Sequence, residues 1–346
     1  MPTTISDLWV PDIWLATMRE KLATLPSLFN SPVVAASEKA TELASGPGET
    51  ATLPFWRDIT DQEDEIQVEN AEPQVDNKIT AGLMKCIACN RVTKNSATAF
   101  SAQLSGGEPV GEMLAQMATR RLKQRQRTLL AILRGAFGSG AGEPNNAEGC
   151  LHALKVDRFD ESGLDATPDQ LLNVDLFIEA KALMGELMGD LASGALLVHP
   201  NVVAGLEKAD STTSAFKEVS MGAWTVRTYR SIPLYVSEAL ARAGTGNGYV
   251  YDTYLLAPAV LAHGEKPQVA GEVVDVAALQ LDKDLGKNNE IIYDRTRFVL
   301  HLNGLKWKGT PVAESPTNAE LQTVGNWQLM YQTPNRVGGI CIRTNG

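Results

Sequence analysis

The sequence predicts an α+β fold with few helices and many strands, and three features carry that prediction. One is a single long helical run at residues 106–137, entered through Gly106-Gly107-Glu108-Pro109 and after that broken only by Gly111 and Gly135. A second is a set of short apolar or alternating runs between residues 195 and 343, separated by turn residues. The third is a two-limbed excursion between residues 50 and 99 whose middle is acidic. Helices and strands in this mixed order belong to an α+β architecture.

Bulk properties bound the function. A chain of 346 residues, 44% hydrophobic and 21% charged, can bury a sizeable core in two domains, or in one with large excursions. A formal charge of -10 argues against a general nucleic-acid binder, because neutralising phosphates takes a basic surface. The run from Arg120 to Arg127 is the local exception. No stretch of eighteen apolar residues occurs, so no membrane-spanning helix is expected. Asp7 is the first charged side chain, without the positive start or apolar segment of a signal peptide, so the expected site of synthesis and first use is a cytoplasm. Four cysteines are too few for a disulfide framework, which fits a reducing compartment.

Along the chain, Trp9, Ile13, Trp14, Met18, Leu22 and Leu25 predict an amphipathic helix over 8–25. Pro26, Pro32, Gly46 and Pro47 then predict extended or irregular chain. Such an arm has too little core of its own and must dock on its own body or a neighbour. Residues 50–56 read as a strand and 78–99 as its return. Between them Asp58, Asp61, Glu63, Asp64, Glu65, Glu69, Glu72 and Asp76 stand against Arg57 alone. An isolated hairpin is marginal in water, so one this long calls for support from a partner chain.

The 106–137 helix begins with Glu108 and Glu112 and ends with Arg120, Arg121, Lys123, Arg125, Arg127 and Arg134, matching the helix dipole at both ends. Its apolar stripe, Val110, Met113, Leu114, Met117, then Leu122, Leu129, Leu130, Leu133 and Phe137, is interrupted at the basic cluster. Burial at both flanks and a more solvated middle are expected. A Gly-rich loop at 135–146, a second helix at 169–189, a strand at 195–198 and a helix opened by Pro200 follow. Further strands are predicted at 224–229, 232–236, 249–256, 273–277, 291–302 and 339–343. Asn303-Gly304 before 305–307 is a hairpin signal.

Few constellations carry chemistry. Cys86 and Cys89 have the spacing of a metal or redox pair that Cys150 and His152 could complete. The pair lies in a strand-like run whose alternation sends the two thiols to opposite faces, so a packing role is the preferred reading. His152, His199, His263 and His301 are dispersed, and no nucleophile elbow is present. The glycine-rich runs at 138–142 and 244–248 lack the helix and the Lys-Ser/Thr ending of a phosphate loop. No catalytic residue, metal site or cofactor is therefore expected. The sharper hypothesis is self-association. Acidic Asp61, Glu63, Asp64 and Glu65 of one copy face basic Arg120, Arg121 and Arg125 of another, with Trp9, Phe55 and Trp56 as apolar anchors. Reversing Arg120, Arg121 and Arg125 to Glu is expected to impair assembly and leave the subunit folded.

The order of these elements resembles the major capsid proteins of tailed phages, the Hong Kong 97-type fold also seen in encapsulin shells. Residues 48–56, GETATLPFW, resemble the start of that family's extended loop. Residues 100–137 resemble its spine helix and the approach to it. LVHPN at 197–201 with 202–206, and TYRSIPLYV at 228–236, resemble the axial-domain strand, helix and strand; 249–258 and 295–305 resemble later strands. The resemblance implies an N-terminal arm at 1–47, an extended loop at 48–92 and a peripheral domain with the spine helix at 93–168. An axial domain at 169–280 and a return to the periphery at 281–346 complete it. It implies a non-enzymatic subunit that assembles into hexamers and pentamers of an icosahedral head in the host cytoplasm, around double-stranded DNA bound without sequence specificity. No membrane is involved. The arm is short enough that a separate scaffolding protein is implied, with a portal, while the need for a decoration protein stays open. The Lys-Asn cross-link of some members is not carried over, since the acidic tip has no lysine and Lys78 lies on the returning limb. Rival readings are an encapsulin-like shell around an enzyme cargo and, less favoured, a zinc-dependent enzyme using Cys86, Cys89, Cys150 and His152.

Overall fold

One long helix running from one β-sheet to a second organises the molecule. The computed structural model describes residues 10–24, 28–56, 81–98, 109–138, 149–162, 167–209, 215–221, 224–244, 248–270, 275–284 and 289–346. In chain order the first elements are α1 (Pro11–Thr24), β1 (Val34–Ala36), α2 (Glu38–Ser45), β2 (Thr50–Trp56), β3 (Ala81–Thr98) and the long helix α3 (Pro109–Phe137). Then come β4 (Lys155–Arg158), α4 (Val174–Ala182), β5 (Ala195–Val198), α5 (Pro200–Ala209), β6 (Phe216–Met221), β7 (Trp224–Tyr229), β8 (Ile232–Val236) and β9 (Ala241–Ala243). The last are β10 (Tyr249–Leu256), β11 (Leu261–Glu265), β12 (Val269–Ala270), β13 (Ala278–Asp284), β14 (Asn289–Leu302), β15 (Leu305–Trp307), α6 (Asn318–Gln322), β16 (Trp327–Leu329) and β17 (Gly339–Thr344).

The first sheet is built on β14. Its one edge pairs with β3 from Asn289↔Thr98 to Val299↔Ala88, and its other edge with β13 and β11. β1 extends β11, and β12 extends β13. β3 is so long that its first half, Ala81 to Ile87, is left to pair with β2. Two helices cover this sheet. Ser37 caps α2, its Oγ accepting from the Ala40 N–H at 3.3 Å, and α2 buries Ala40 and Ala44 over Leu53, Met84 and Cys86. α1 seats Trp14 and Met18 against Leu114, Met117 and Ala118 of α3 and Leu279 and Ile292 of the sheet.

The second sheet runs β4-β17-β10-β5-β8-β7-β6, with β9 also on β10. Its centre is apolar on both faces: Ala195 to Val198, Tyr254 to Leu256 and Ile340 to Ile342 are all buried. The last nine residues of α3 enter this core, with Leu129 to Leu133, Ala136 and Phe137 buried and the Phe137 ring 5.9 Å from that of Tyr254. Gly135 lets α3 cross the α6 region closely. A Cβ there would lie 2.2 Å from the Leu321 carbonyl oxygen and 2.5 Å from Trp327 Nε1.

Several expectations are corrected. The segment after Pro32 contains a capped helix, α2. The helix expected at 169–189 is a nine-residue α-helix, α4, flanked by tighter turns at Pro168–Gln170 and Gly185–Ser193. Within 273–277 the described residues 275–277 are not strand, and the strand begins at Ala278. β15 does not fold back on β14 after Asn303-Gly304 but pairs with β16. The first sheet thus gathers β1 to β3 and β11 to β14, and the second gathers β4 to β10 and β17.

Candidate assembly interface

The basic run of α3 resolves into two faces. Arg121, Arg125 and Arg134 turn inward. Arg121 donates from Nε (3.2 Å) and Nη2 to Asp294 of β14, and from Nη2 to Gln268 Oε1 at 2.9 Å. Arg125 pairs with Glu265 of β11, and its guanidinium lies 5.6 Å over the Phe298 ring. Arg134 reaches the second sheet, donating to Asp252 Oδ2 at 3.0 Å and to the Ala239 carbonyl at 2.9 Å. The long helix is thus pinned to both sheets through charge-assisted bonds. Arg120, Lys123 and Arg127, three and four residues apart, lie on one exposed stripe of α3.

Of the expected contact residues, Arg121 and Arg125 are therefore corrected: both are committed inside their own subunit. Helical phase was the missed signal. The apolar stripe Leu114, Met117 continues through Arg121, Arg125 and Thr128 at the same spacing, so the arginines sit on the buried face and do not interrupt it. Arg120 is exposed. Asp252, Asp294 and Glu265, which complete these pairs, lie on separate strands, and Gln268 lies in the link before β12; none had a sequence signal.

The β2–β3 hairpin has an inner and an outer face. Leu53 and Phe55 point inward; Phe55 is half-buried, edge-on to Tyr331 with centroids 5.7 Å apart, over Gly82, where a Cβ would lie 2.4 Å from the ring. Phe55 is corrected to an intrachain packing residue. Trp56, by contrast, is 72% exposed. Opposite pairing of Pro54 with Leu83 and of Trp56 with Ala81 puts the exposed Leu83 and Trp56 on one outer, apolar face. Trp9 and the acidic residues Asp61, Glu63, Asp64 and Glu65 lie outside the described residues.

Cys86 and Cys89 are buried, Cys150 is half-buried and His152 is exposed. Cys86 packs under α2 and Cys89 in the main core, on opposite faces of β3, and burial pushes both thiols up to about 11. Cys150, also raised to about 11 by burial, contacts the Ala136 carbonyl, and His152 Nδ1 lies 3.0 Å from the Gly149 carbonyl. Among the described residues no three His, Cys, Asp or Glu side chains are grouped to hold a metal ion.

No family model matches the sequence. The chain is 26% identical over 334 residues to a protein of Bacillus phage SPP1 described as its major capsid protein, covering 95% of this chain and 94% of that one. Its fold is similar to the capsid of Ralstonia phage GP4, at a TM-score of 0.54 and 10% identity, over 92% of this chain and 90% of the other. It is likewise similar to the capsid of cyanophage Pam1, at a TM-score of 0.54 and 10% identity, over 92% of both chains.

Proposed function

We propose, for a chain that belongs to the tailed-phage major capsid proteins with the Hong Kong 97-type fold, that hexamers and pentamers of it close into the icosahedral head shell around a DNA genome. The chain is a structural protein of the virion capsid and not an enzyme. One observation carries the reading: sequence similarity to a phage major capsid protein extends over 95% of this chain and 94% of that protein.

The mechanism is mechanical. Heterologous contacts that close into rings build capsomers, and an arm and a loop that overlap neighbours lock one ring contact to the next. Trp56 and Leu83 supply apolar surface for such an overlap, since exposed aromatic anchors contribute most of an interface's energy. The stripe Arg120, Lys123 and Arg127 supplies charge for encounter and register with the acidic segment 57–76 of a neighbouring copy. A separate scaffolding protein and a portal complete the partners, and net acidity, -10 per chain, leaves the packaged DNA weakly held.

Sedimentation of protein purified from expressing cells tests the reading. Particles of hundreds of subunits are expected, and a monodisperse small oligomer would oppose it. Reversal of Arg120, Lys123 and Arg127 to Glu is expected to reduce the particle fraction without moving the subunit's urea midpoint. Particles at the wild-type yield would remove the stripe from the account. Reversing Arg121 and Arg125 is no test of this contact, because both hold the subunit's own sheet.

A further inference from the structure

The second sheet ends in two open edges. β4 pairs on one side with β17, from Lys155 opposite Cys341 to Arg158 opposite Thr344, and β6 pairs on one side with β7. Among the described residues no strand lies beyond either of them. β6, FKEVSM, runs without Pro, Gly or a bulge, devices that keep other chains off a sheet edge. Lys217, Glu218, Val219 and Ser220 are exposed. The turn between β7 and β8 fixes which backbone groups of β6 face out. Arg230 and Ser231, at φ 47° and 70°, make a two-residue turn that closes on the pair Tyr229 and Ile232. Such a turn makes its closing pair hydrogen-bonded, so Tyr229 spends its N–H and C=O on β8. By alternation Thr228 bonds toward Lys217. Lys217 and Val219 therefore face β7, while Phe216, Glu218 and Ser220 send N–H and C=O to the open edge.

We propose that the open edge of β6 adds onto the open edge of β4 in a second copy, so that the sheet continues from subunit to subunit. The inference rests on the shell reading and names the contact that closes its rings. Two different edges make that contact heterologous. Each copy engages one neighbour through β4 and another through β6, and the series can close on itself. Charge favours the same pairing. Laid side by side in one direction, Phe216 meets Val156, Lys217 meets Asp157 and Glu218 meets Arg158. Asp157 and Arg158 are exposed. Arg158 pairs within its own chain with Glu179 at 3.5 Å, and both side chains of that pair are more than half exposed, so the contact is open to exchange. Pairing β6 with β6 would instead be isologous, would stop at two copies and, centred on the strand, would set Glu218 against Glu218.

Paired cysteines in the full-length chain test it. With Glu218→Cys and Arg158→Cys together, oxidation of assembled protein is expected to join each copy to the next, giving a ladder on a non-reducing gel that reaches five and six chains. Each single variant is expected to run as one chain. Shells of normal size without a ladder would overturn the edge contact, and dimers from Glu218→Cys alone would overturn it in favour of β6 on β6. Ser220→Pro gives an independent reading, because it removes an N–H that points outward and none that bonds β7. The subunit's urea midpoint should stay in place while the yield of particles falls at least about tenfold. An unchanged yield would count against the contact. A wild-type chain that forms no shells, and whose paired-cysteine variant still gives the ladder, would sink the shell reading and leave the edge contact standing.

Discussion

At the scale of single residues, charge in this subunit is used for internal architecture as much as for surface. Arg121 and Asp294 are both almost fully buried, so Arg121→Met leaves a carboxylate inside the fold with only Gln268 Nε2 (2.8 Å) to compensate. A loss of about 3 to 5 kcal/mol in the urea-unfolding free energy is expected. The buried histidines make a second prediction. His301 donates Nε2–H to the Leu305 carbonyl at 2.9 Å, and His263 lies between the rings of Phe29 and Phe298; burial first of all pushes both down to about 4. The folded state then refuses protons that the unfolded chain, with its ordinary value near 6.5, accepts. Stability is therefore full above pH 6.5, falls as pH drops from 6.5 toward 4, and gains nothing on further acidification from these two groups. His301→Gln should lose less stability than the parent chain between pH 7 and pH 5, measured by urea midpoints. Little of this was legible beforehand. The arginine run announced a basic helix face, but only helical phase separates Arg121 and Arg125 from Arg120, and their acidic partners come from strands more than a hundred residues away.

At the scale of elements, α3 owes its position to a glycine. In an exposed helix Gly→Ala stabilises by about 0.5 to 1 kcal/mol. At position 135 the added methyl meets the Leu321 carbonyl, which itself accepts the Trp327 Nε1–H at 2.8 Å. Gly135→Ala should reverse that sign and destabilise by about 1 to 3 kcal/mol, read as a drop in Tm. Elements with strong internal pattern were readable from sequence: α1, α3, β2, the long β3 and β14. Those that were not depend on neighbours. β6, FKEVSM, and β13, ALQLDKD, carry polar residues in register with a partner strand, and β11 contains Gly264, so their own propensities are weak. β15 was misassigned because a turn signal specifies a change of direction and not the partner strand: β16 lies twenty residues further on and takes the pairing.

At the scale of the whole molecule, the resemblance drawn from element order extends to the full fold, while the contact residues divide. Trp56 stays outward, Phe55, Arg121 and Arg125 are spent on the subunit itself, and the acidic segment remains the proposed counterpart of the Arg120 stripe. Because Trp56 is 72% exposed, Trp56→Ala should change subunit stability by less than about 0.5 kcal/mol and still lower the yield of assembled particles. The central claim is that copies of this one chain close into a shell. Electron microscopy of particles purified from expressing cells tests it most directly. The account predicts closed isometric shells whose reconstruction shows rings of six and five copies, each with the β2–β3 hairpin lying across a neighbour. A discrete small oligomer, or shells whose hairpins contact only their own subunit, would contradict it.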